Sequence, residues 1–178
     1  MTAIFITGNE DDNGFRVLLE EILSLTYRIT YVKGNTLYQW GKGYEVLALD
    51  CPSYGEIWAE NPVFLLKKGC VPCFDFPEKA MVIACSENEE QLKALKDKGL
   101  HVITCGFGKR DSFSYSSLSD ESMVVSLNRE LTAFSGKKIQ PLEVPVKIPQ
   151  GVDVYSVIAF TALRILLDDF NSEIGELI

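Results

Sequence analysis

Short apolar runs, polar loops and amphipathic stretches alternate along the chain in the order typical of an α/β protein. Runs of β-branched and other apolar residues predict buried strands at 3–7, 44–49, 81–85 and 101–105. Weaker patterns predict strands at 28–32, 36–40 and 63–66, and a short helix at 53–60. Residues 15–25 gather their leucines on one helical face, which predicts an amphipathic helix soon after the first strand.

The segment from 81 to 105 gives the clearest prediction of a strand, a helix and a second strand. Ser86 and Glu89 have the spacing of a capping box at the start of the helix. Gly99 has the position of a C′ glycine that ends it. Because the loops are short, we expect the two flanking strands to be parallel and joined by a right-handed crossover.

The pattern changes in the last third of the chain. The serine-rich stretch 112–122 is predicted to be a loop. Three short segments then predict antiparallel strands: 123–127, 130–134 and 142–148. Prolines confine the last of these strands to a sheet edge, and the almost wholly apolar stretch 154–167 predicts a buried helix. We therefore predict one α/β domain over 1–178, a mostly parallel sheet flanked by helices with a small antiparallel part near the C-terminus.

The composition narrows the class of protein without naming a function. Of 178 residues, 47% are hydrophobic and 24% are charged, as in an ordinary globular domain. The net charge of -8 argues against a nucleic-acid partner, and no apolar run reaches the ~18 residues of a membrane span. The first residues lack the basic region of a signal peptide, and an odd number of cysteines favours a reducing compartment. We expect a cytoplasmic protein that binds neither nucleic acid nor membrane.

The loop after the first predicted strand stands where a phosphate-binding P-loop would lie. A P-loop needs two glycines separated by four residues, then a lysine and a hydroxyl. Here five residues separate Gly8 from Gly14, and Phe15 and Arg16 replace the lysine and the hydroxyl. The residues between the glycines include Asn13 and three carboxylates: Glu10, Asp11 and Asp12. Each carboxylate would oppose a triphosphate by roughly 4 kcal/mol per charge pair at ~4 Å. The sequence fits a degenerate phosphate loop, and it also fits a plain acidic surface loop.

Five colinear segments resemble the central, ATP-binding domain of the Mur ligases, which join amino acids to peptidoglycan precursors. They are 6–8, 46–50, 82–86, 102–106 and 148–156. The first resembles the start of that family's glycine loop. The second resembles its strand that ends in a magnesium-binding carboxylate, here Asp50. The resemblance implies a P-loop-NTPase-like fold over nearly the whole chain.

Several residues that this resemblance would require are absent. The loop lysine and its hydroxyl neighbour are missing, and Asp153 and Ser156 stand where the family has two asparagines that help to hold the nucleotide. No counterpart of the family's modified lysine is evident between Asp50 and Met81, and we expect no counterpart of its flanking substrate domains within these 178 residues. The resemblance therefore implies a non-catalytic binding or regulatory module that has lost ATP, with no cofactor, metal or catalytic residue. The alternative is an ATP-dependent amide ligase component that acts with separate partner chains.

Six residues follow the predicted strands at an edge where the ends of parallel strands line a ligand crevice: Asp50, Cys51, Cys85, Cys105, Lys109 and Arg110. Asp50 has the position of a Walker-B carboxylate, or it only caps the next segment. The three thiols could bind a soft metal, respond to oxidation or simply fill the core. The two basic residues could contact an anion or form a solvated turn.

Two further features carry weaker signals. Cys70 and Cys73 form a CxxC motif, which serves redox or metal chemistry or belongs to an ordinary loop. His101 is the only histidine, and we predict a structural role for it. A thiol redox or metal-binding protein is therefore the second alternative function.

Beyond the last predicted helix, apolar residues recur at near-helical spacing: Phe170, Ile174, Leu177 and Ile178. This stripe could pack against a second copy and give a homodimer, or it could fold back on the chain's own sheet. The sequence predicts both arrangements equally well, and the class of small-molecule ligand stays open.

Overall fold

The computed structural model describes residues 2–96 and 98–169. The strands are β1 Thr2–Thr7, β2 Tyr27–Lys33, β3 Thr36–Trp40, β4 Tyr44–Asp50, β5 Val63–Leu66, β6 Met81–Cys85, β7 His101–Cys105, β8 Phe113–Leu118, β9 Ser122–Leu127, β10 Leu131–Thr132, β11 Lys138–Ile139 and β12 Leu142–Lys147. The helices are α1 Gly14–Glu21, α2 Glu89–Leu95 and α3 Val154–Leu166, with a 3₁₀ turn at Leu23–Leu25 after α1.

Ten strands form one sheet in the order β12-β9-β8-β7-β6-β5-β1-β4-β2-β3. All neighbours from β8 to β2 are parallel, while β3 at one end and β9 and β12 at the other are antiparallel to their neighbours. The prediction of a mostly parallel sheet with an antiparallel part near the C-terminus is confirmed. The parallel pairing of β6 with β7 around α2 is confirmed as well.

Each face of the sheet has its own apolar core. On one face, α1 and α3 cover alternate residues of the central strands, such as Ile4, Ile6 and Ile83. On the other face, α2 and irregular loops cover Phe5 and Phe64. Both faces of the central strands are buried because a parallel sheet needs cover on both sides. This explains why their sequences are continuous apolar runs.

The predicted edge strand is confirmed. β12 is the outermost strand at its end of the sheet, and it pairs only with β9 among the described residues. Pro145 lies in the middle of β12, opposite Val124. A proline lacks a backbone donor, so an edge is where a sheet tolerates it.

The helix predicted at 53–60 is wrong, because the structure has no regular element there. Aromatic packing holds this segment instead. The Tyr54 ring stands edge-on to Phe5 with 5.3 Å between the ring centres, and its hydroxyl donates to the Ile6 carbonyl at 2.8 Å. The pattern that favoured a helix arises from side chains that cover the second face of the sheet.

The loop predicted at 112–122 is also wrong, because it contains β8. This strand pairs with β9 along its length, with a register shift between Tyr115 and Ser117. Its sequence contains three serines and no apolar run, so the apolar pattern did not predict a strand. Backbone pairing with β9, and not a continuous apolar side-chain pattern, places this strand in the sheet.

The start and end of α2 differ from the prediction. Asn88 is its N-cap, since the side-chain oxygen of Asn88 accepts the Gln91 N–H at 3.0 Å, and Ser86 lies before the helix. The helix ends at Leu95, and Gly99 adopts φ +66° in the loop that follows. The segment predicted as a strand at 130–134 contains only the short β10, which pairs with β11. No helix in the described ranges has the length and hydropathy needed to span a membrane.

Candidate functional site

The carboxyl ends of three neighbouring strands form the centre of the candidate site. β1 lies between β4 and β5, so the residues that follow these strands meet at one edge of the sheet. The loop from Gly8 to Asn13 follows β1, Asp50 ends β4, and Lys67 directly follows β5. This edge is where ligands bind in open parallel sheets.

Lys67 and Asp50 form a buried ion pair. The exposed fractions of their side chains are 1% and 2%. The Lys67 Nζ lies 2.9 Å from Asp50 Oδ1 and 3.0 Å from Oδ2, and it donates a further bond of 2.9 Å to the Asn9 carbonyl. All three ammonium hydrogens therefore have acceptors, two on the carboxylate and one on the loop.

Tyr31 and Lys33 complete the surroundings of this carboxylate. The Tyr31 hydroxyl donates to Asp50 Oδ2 at 2.6 Å, and burial together with this bond raises the pKa of Tyr31 above its ordinary value. The Lys33 Nζ lies 4.0 Å from the same oxygen. It also donates to the Glu10 carbonyl and to Asn13 Oδ1, the latter at 2.9 Å. Lys67 and Lys33 thus both hold the loop, Lys67 through a backbone carbonyl and Lys33 through a carbonyl and the Asn13 amide oxygen.

The loop presents oxygen atoms, and not free amides, towards the lysines. The Asp11 N–H donates to Asn9 Oδ1 at 3.0 Å, and the Asp12 N–H donates to the Asn9 carbonyl at 3.2 Å. Asp12 Oδ1 accepts the Gly14 N–H at 3.0 Å, at the start of α1. A phosphate loop needs a run of unengaged N–H groups at a helix N-terminus. Here a carboxylate of the chain itself stands at that position.

Phe15 and Arg16 both point away from the loop. Phe15 is fully buried, and its ring stands edge-on to Tyr155 at 6.5 Å. The Arg16 guanidinium pairs with Glu20 at 3.1 Å and lies over the Tyr38 ring at 5.7 Å. Neither side chain therefore takes the part of the lysine or the hydroxyl of a P-loop.

Asp153 caps α3 close to this loop. Its Oδ1 accepts the Ser156 N–H at 3.1 Å, and its Oδ2 accepts the Ser156 hydroxyl at 2.5 Å. A Cβ added to Gly14 would lie 3.0 Å from Ser156 Oγ, so the two segments are in contact. Asp153 and Ser156, which the resemblance aligned with two asparagines of the Mur ligases, therefore bond to each other.

The six residues predicted to share one crevice lie at one edge but form separate groups. Asp50 ends β4 and Cys51 follows it, while Cys85 and Cys105 end β6 and β7, two and three strands beyond β1. With ~4.8 Å between strands, β4 and β7 are about 19 Å apart. Lys109 and Arg110 are exposed on the loop after β7.

Three of the five cysteine thiols are buried in the interior of the protein. Cys85 and Cys105 are partners in the β6–β7 register and are almost fully buried, and burial raises the pKa of both thiols. Burial also raises the pKa of Cys51 and Cys70, and Cys73 is exposed. All five are free thiols. The described residues contain no group of three His, Cys, Asp or Glu placed to hold a metal ion.

Lys67 and Lys33 are the site residues that sequence analysis missed. One sequence signal could have found Lys67: it directly follows the predicted strand 63–66, and so it lies at the same sheet edge as Asp50. The sequence gives no sign of which acidic group it meets. His101 is exposed at the start of β7, and the CxxC motif lies in a loop. The predicted tail stripe lies outside the described residues.

A comparison with solved structures matches the chain to a murein peptide ligase from Psychrobacter arcticus 273-4, with a TM-score of 0.52 and 11% sequence identity. The match covers 92% of this chain and 44% of that ligase, so the chain spans less than half of the ligase's length. No protein-family model and no curated protein sequence matches the chain. At this identity the likeness concerns the fold alone: the chain has the α/β fold of part of a peptide ligase.

Proposed function

We propose that this chain is a non-catalytic relative of the Mur ligase central domain, a binding or regulatory module that does not bind ATP. The observation that carries the proposal is that the chain's own side chains fill the place at the loop edge where a nucleotide would bind. The chain's own groups hold the positions that phosphate, lysine and magnesium would need: Asp12 at the start of α1, and Lys67 in its pair with Asp50. The colinear segments and the shared fold support the relationship to the family.

The energies of the contacts at the loop edge support this proposal, because a nucleotide would have to displace them. Displacing Asp12 from the Gly14 N–H removes a hydrogen bond worth about 1 kcal/mol. Drawing Lys67 towards a phosphate would leave Asp50 buried without its cation, which costs about 3–5 kcal/mol. Binding at 100 µM supplies only about 5.5 kcal/mol. The cost of clearing the site is therefore as large as the gain from ordinary nucleotide affinity.

Calorimetric titration with Mg-ATP to millimolar concentration tests the proposal. We expect no binding stronger than about 100 µM, and no rise in melting temperature with nucleotide. An Asp12→Asn variant is the matched control, since it keeps an oxygen that can accept the Gly14 N–H and removes one negative charge. Binding by the unmodified chain below 100 µM would refute the loss of ATP.

The second candidate is an ATP-dependent amide ligase component that works with separate partner chains. The observation behind it is the likeness in fold to part of a murein peptide ligase. This candidate requires nucleotide binding at the loop edge, so the same titration separates the two. Thiol chemistry has less support, because the raised pKa of the buried thiols lowers the reactive thiolate fraction.

A further inference from the structure

A groove with an apolar floor lies on the face of the sheet covered by α1 and α3, away from the loop edge. Its volume is about 600 Å³. The floor is formed by side chains of both helices and by the segment after β12: Leu18, Ile22, Ile148, Val157 and Phe160. Charged residues line the rim: Glu21, Asp120, Glu121, Lys147 and Arg164. An apolar floor with a polar rim is the form of a groove that receives an amphipathic segment.

The end of α3 lies at the rim of this groove. Asp168 has φ +56°, its N–H donates to the Ile165 carbonyl at 3.2 Å, and the Asp169 N–H donates to the Arg164 carbonyl at 2.9 Å. These are the two bonds of a Schellman motif, which ends a helix and turns the chain. The Asp169 carboxylate also bonds Arg164 Nε at 2.7 Å. Since Arg164 lines the groove, the last described residue is tied to its rim.

We propose that residues 170–178 of the same chain bind in this groove. The segment has apolar residues at 170, 174, 177 and 178, and Glu173 and Glu176 between them. Along α3 the groove extends from Val157 to Arg164, about 10.5 Å at 1.5 Å per residue. Nine residues span about 13.5 Å as a helix and more when extended, so the segment is long enough to cover the floor.

An unsatisfied donor at the rim supports the same occupant. The Arg164 Nη1 is buried and has no hydrogen-bond partner among the described residues. A buried guanidinium nitrogen needs an acceptor, and a carboxylate or carbonyl of the tail would supply one. The rim also has three carboxylates, so charge as a whole does not attract the acidic tail. We therefore expect apolar contact to drive binding.

The chain's own tail is favoured over the tail of a second copy by proximity. A segment joined directly to the groove rim has an effective concentration in the millimolar range. A second copy reaches that level only in very concentrated solution. The same apolar residues would serve a homodimer, which makes oligomeric state part of the test.

The test uses a chain that ends at Asp169 and the synthetic peptide 170–178. With ~3 mM effective concentration and a peptide affinity of ~0.3 mM, the full chain should bind the added peptide about tenfold more weakly than the shortened chain. Side-chain NMR should show shifts at Leu18, Ile22 and Phe160, and none at Val102 on the other face. Raising salt to 1 M should not weaken binding, since the contact is apolar.

The control peptide carries Ile174→Asp and should bind at least tenfold more weakly, whereas one with Asn171→Asp should bind like the original. Light scattering at 100 µM should give a monomer for both chains. Shifts that lie elsewhere, equal binding by both chains, or no binding at 2 mM peptide would overturn the proposal. A full-length dimer that the truncation dissociates would overturn it in favour of a second copy.

Discussion

Substitution of Lys67 by methionine measures how far the fold depends on the ion pair at the loop edge. Methionine keeps the length and the apolar stem of the side chain and removes only the ammonium group. Breaking a buried pair by removing one partner costs about 3–5 kcal/mol. Tyr31 and Lys33 still face Asp50, which favours the lower end of that range. The lost bond to the Asn9 carbonyl adds about 1 kcal/mol.

Urea unfolding is the assay, because the midpoint and the slope together separate lost stability from a change in compactness. The adjacent Lys68→Met is the matched control. Lys68 is half exposed and lies 3.6 Å from Glu87, so its loss should cost less than about 1 kcal/mol. We also expect Asp50→Asn combined with Lys67→Met to recover at least about 2 kcal/mol relative to the sum of the single changes. If Lys67→Met and Lys68→Met are equally stable, the pair does not hold the loop edge.

Two further expectations concern the thiols and tyrosines. In the native protein a thiol reagent at neutral pH should label Cys73 first and Cys51 slowly. Cys85 and Cys105 should stay unreacted until denaturant is added. Rapid labelling of Cys105 would contradict its burial. Burial raises the folded-state pKa of three thiols, those of Cys70, Cys85 and Cys105. Their contribution to stability is therefore complete below the ordinary thiol pKa of 9.0 and is lost as the pH rises further. The melting temperature should be constant from pH 7 to 8 and should fall above about pH 9. A serine at the exposed Cys73 should leave that fall unchanged.

The central strands could be predicted because their sequences are shaped by burial on both faces. The runs at 3–7, 44–49, 81–85 and 101–105 match β1, β4, β6 and β7 to within one residue at each end. Elements held by other forces were predicted poorly. β8 depends on backbone pairing with the adjacent β9, and its sequence contains no apolar run. The segment around Tyr54 depends on contact with Phe5, which lies far away along the chain.

The candidate site shows the same division. The sequence placed Asp50 at the end of its strand, and it indicated that Phe15 and Arg16 do not supply P-loop chemistry. It did not predict that Asp12 would turn back to the Gly14 N–H, since that bond depends on the exact path of the loop. Nor did it predict the partner of Lys67, because only the sheet order β5-β1-β4 brings that lysine to Asp50.

Gly8 is the clearest case in which a feature typical of phosphate loops has another physical reason here. It adopts φ +139°, and a Cβ at this position would lie 2.6 Å from the Lys67 Cβ. That atom sits close to the backbone and cannot move away as the end of a flexible side chain could. Gly8→Ala should therefore destabilise the fold by at least about 2 kcal/mol, from backbone strain and overlap together. Gly69→Ala is the control, because a Cβ there meets nothing within 4 Å. A Gly8→Ala chain as stable as Gly69→Ala in urea would show that Lys67 does not require the glycine, and the nucleotide would again be the better explanation for its presence.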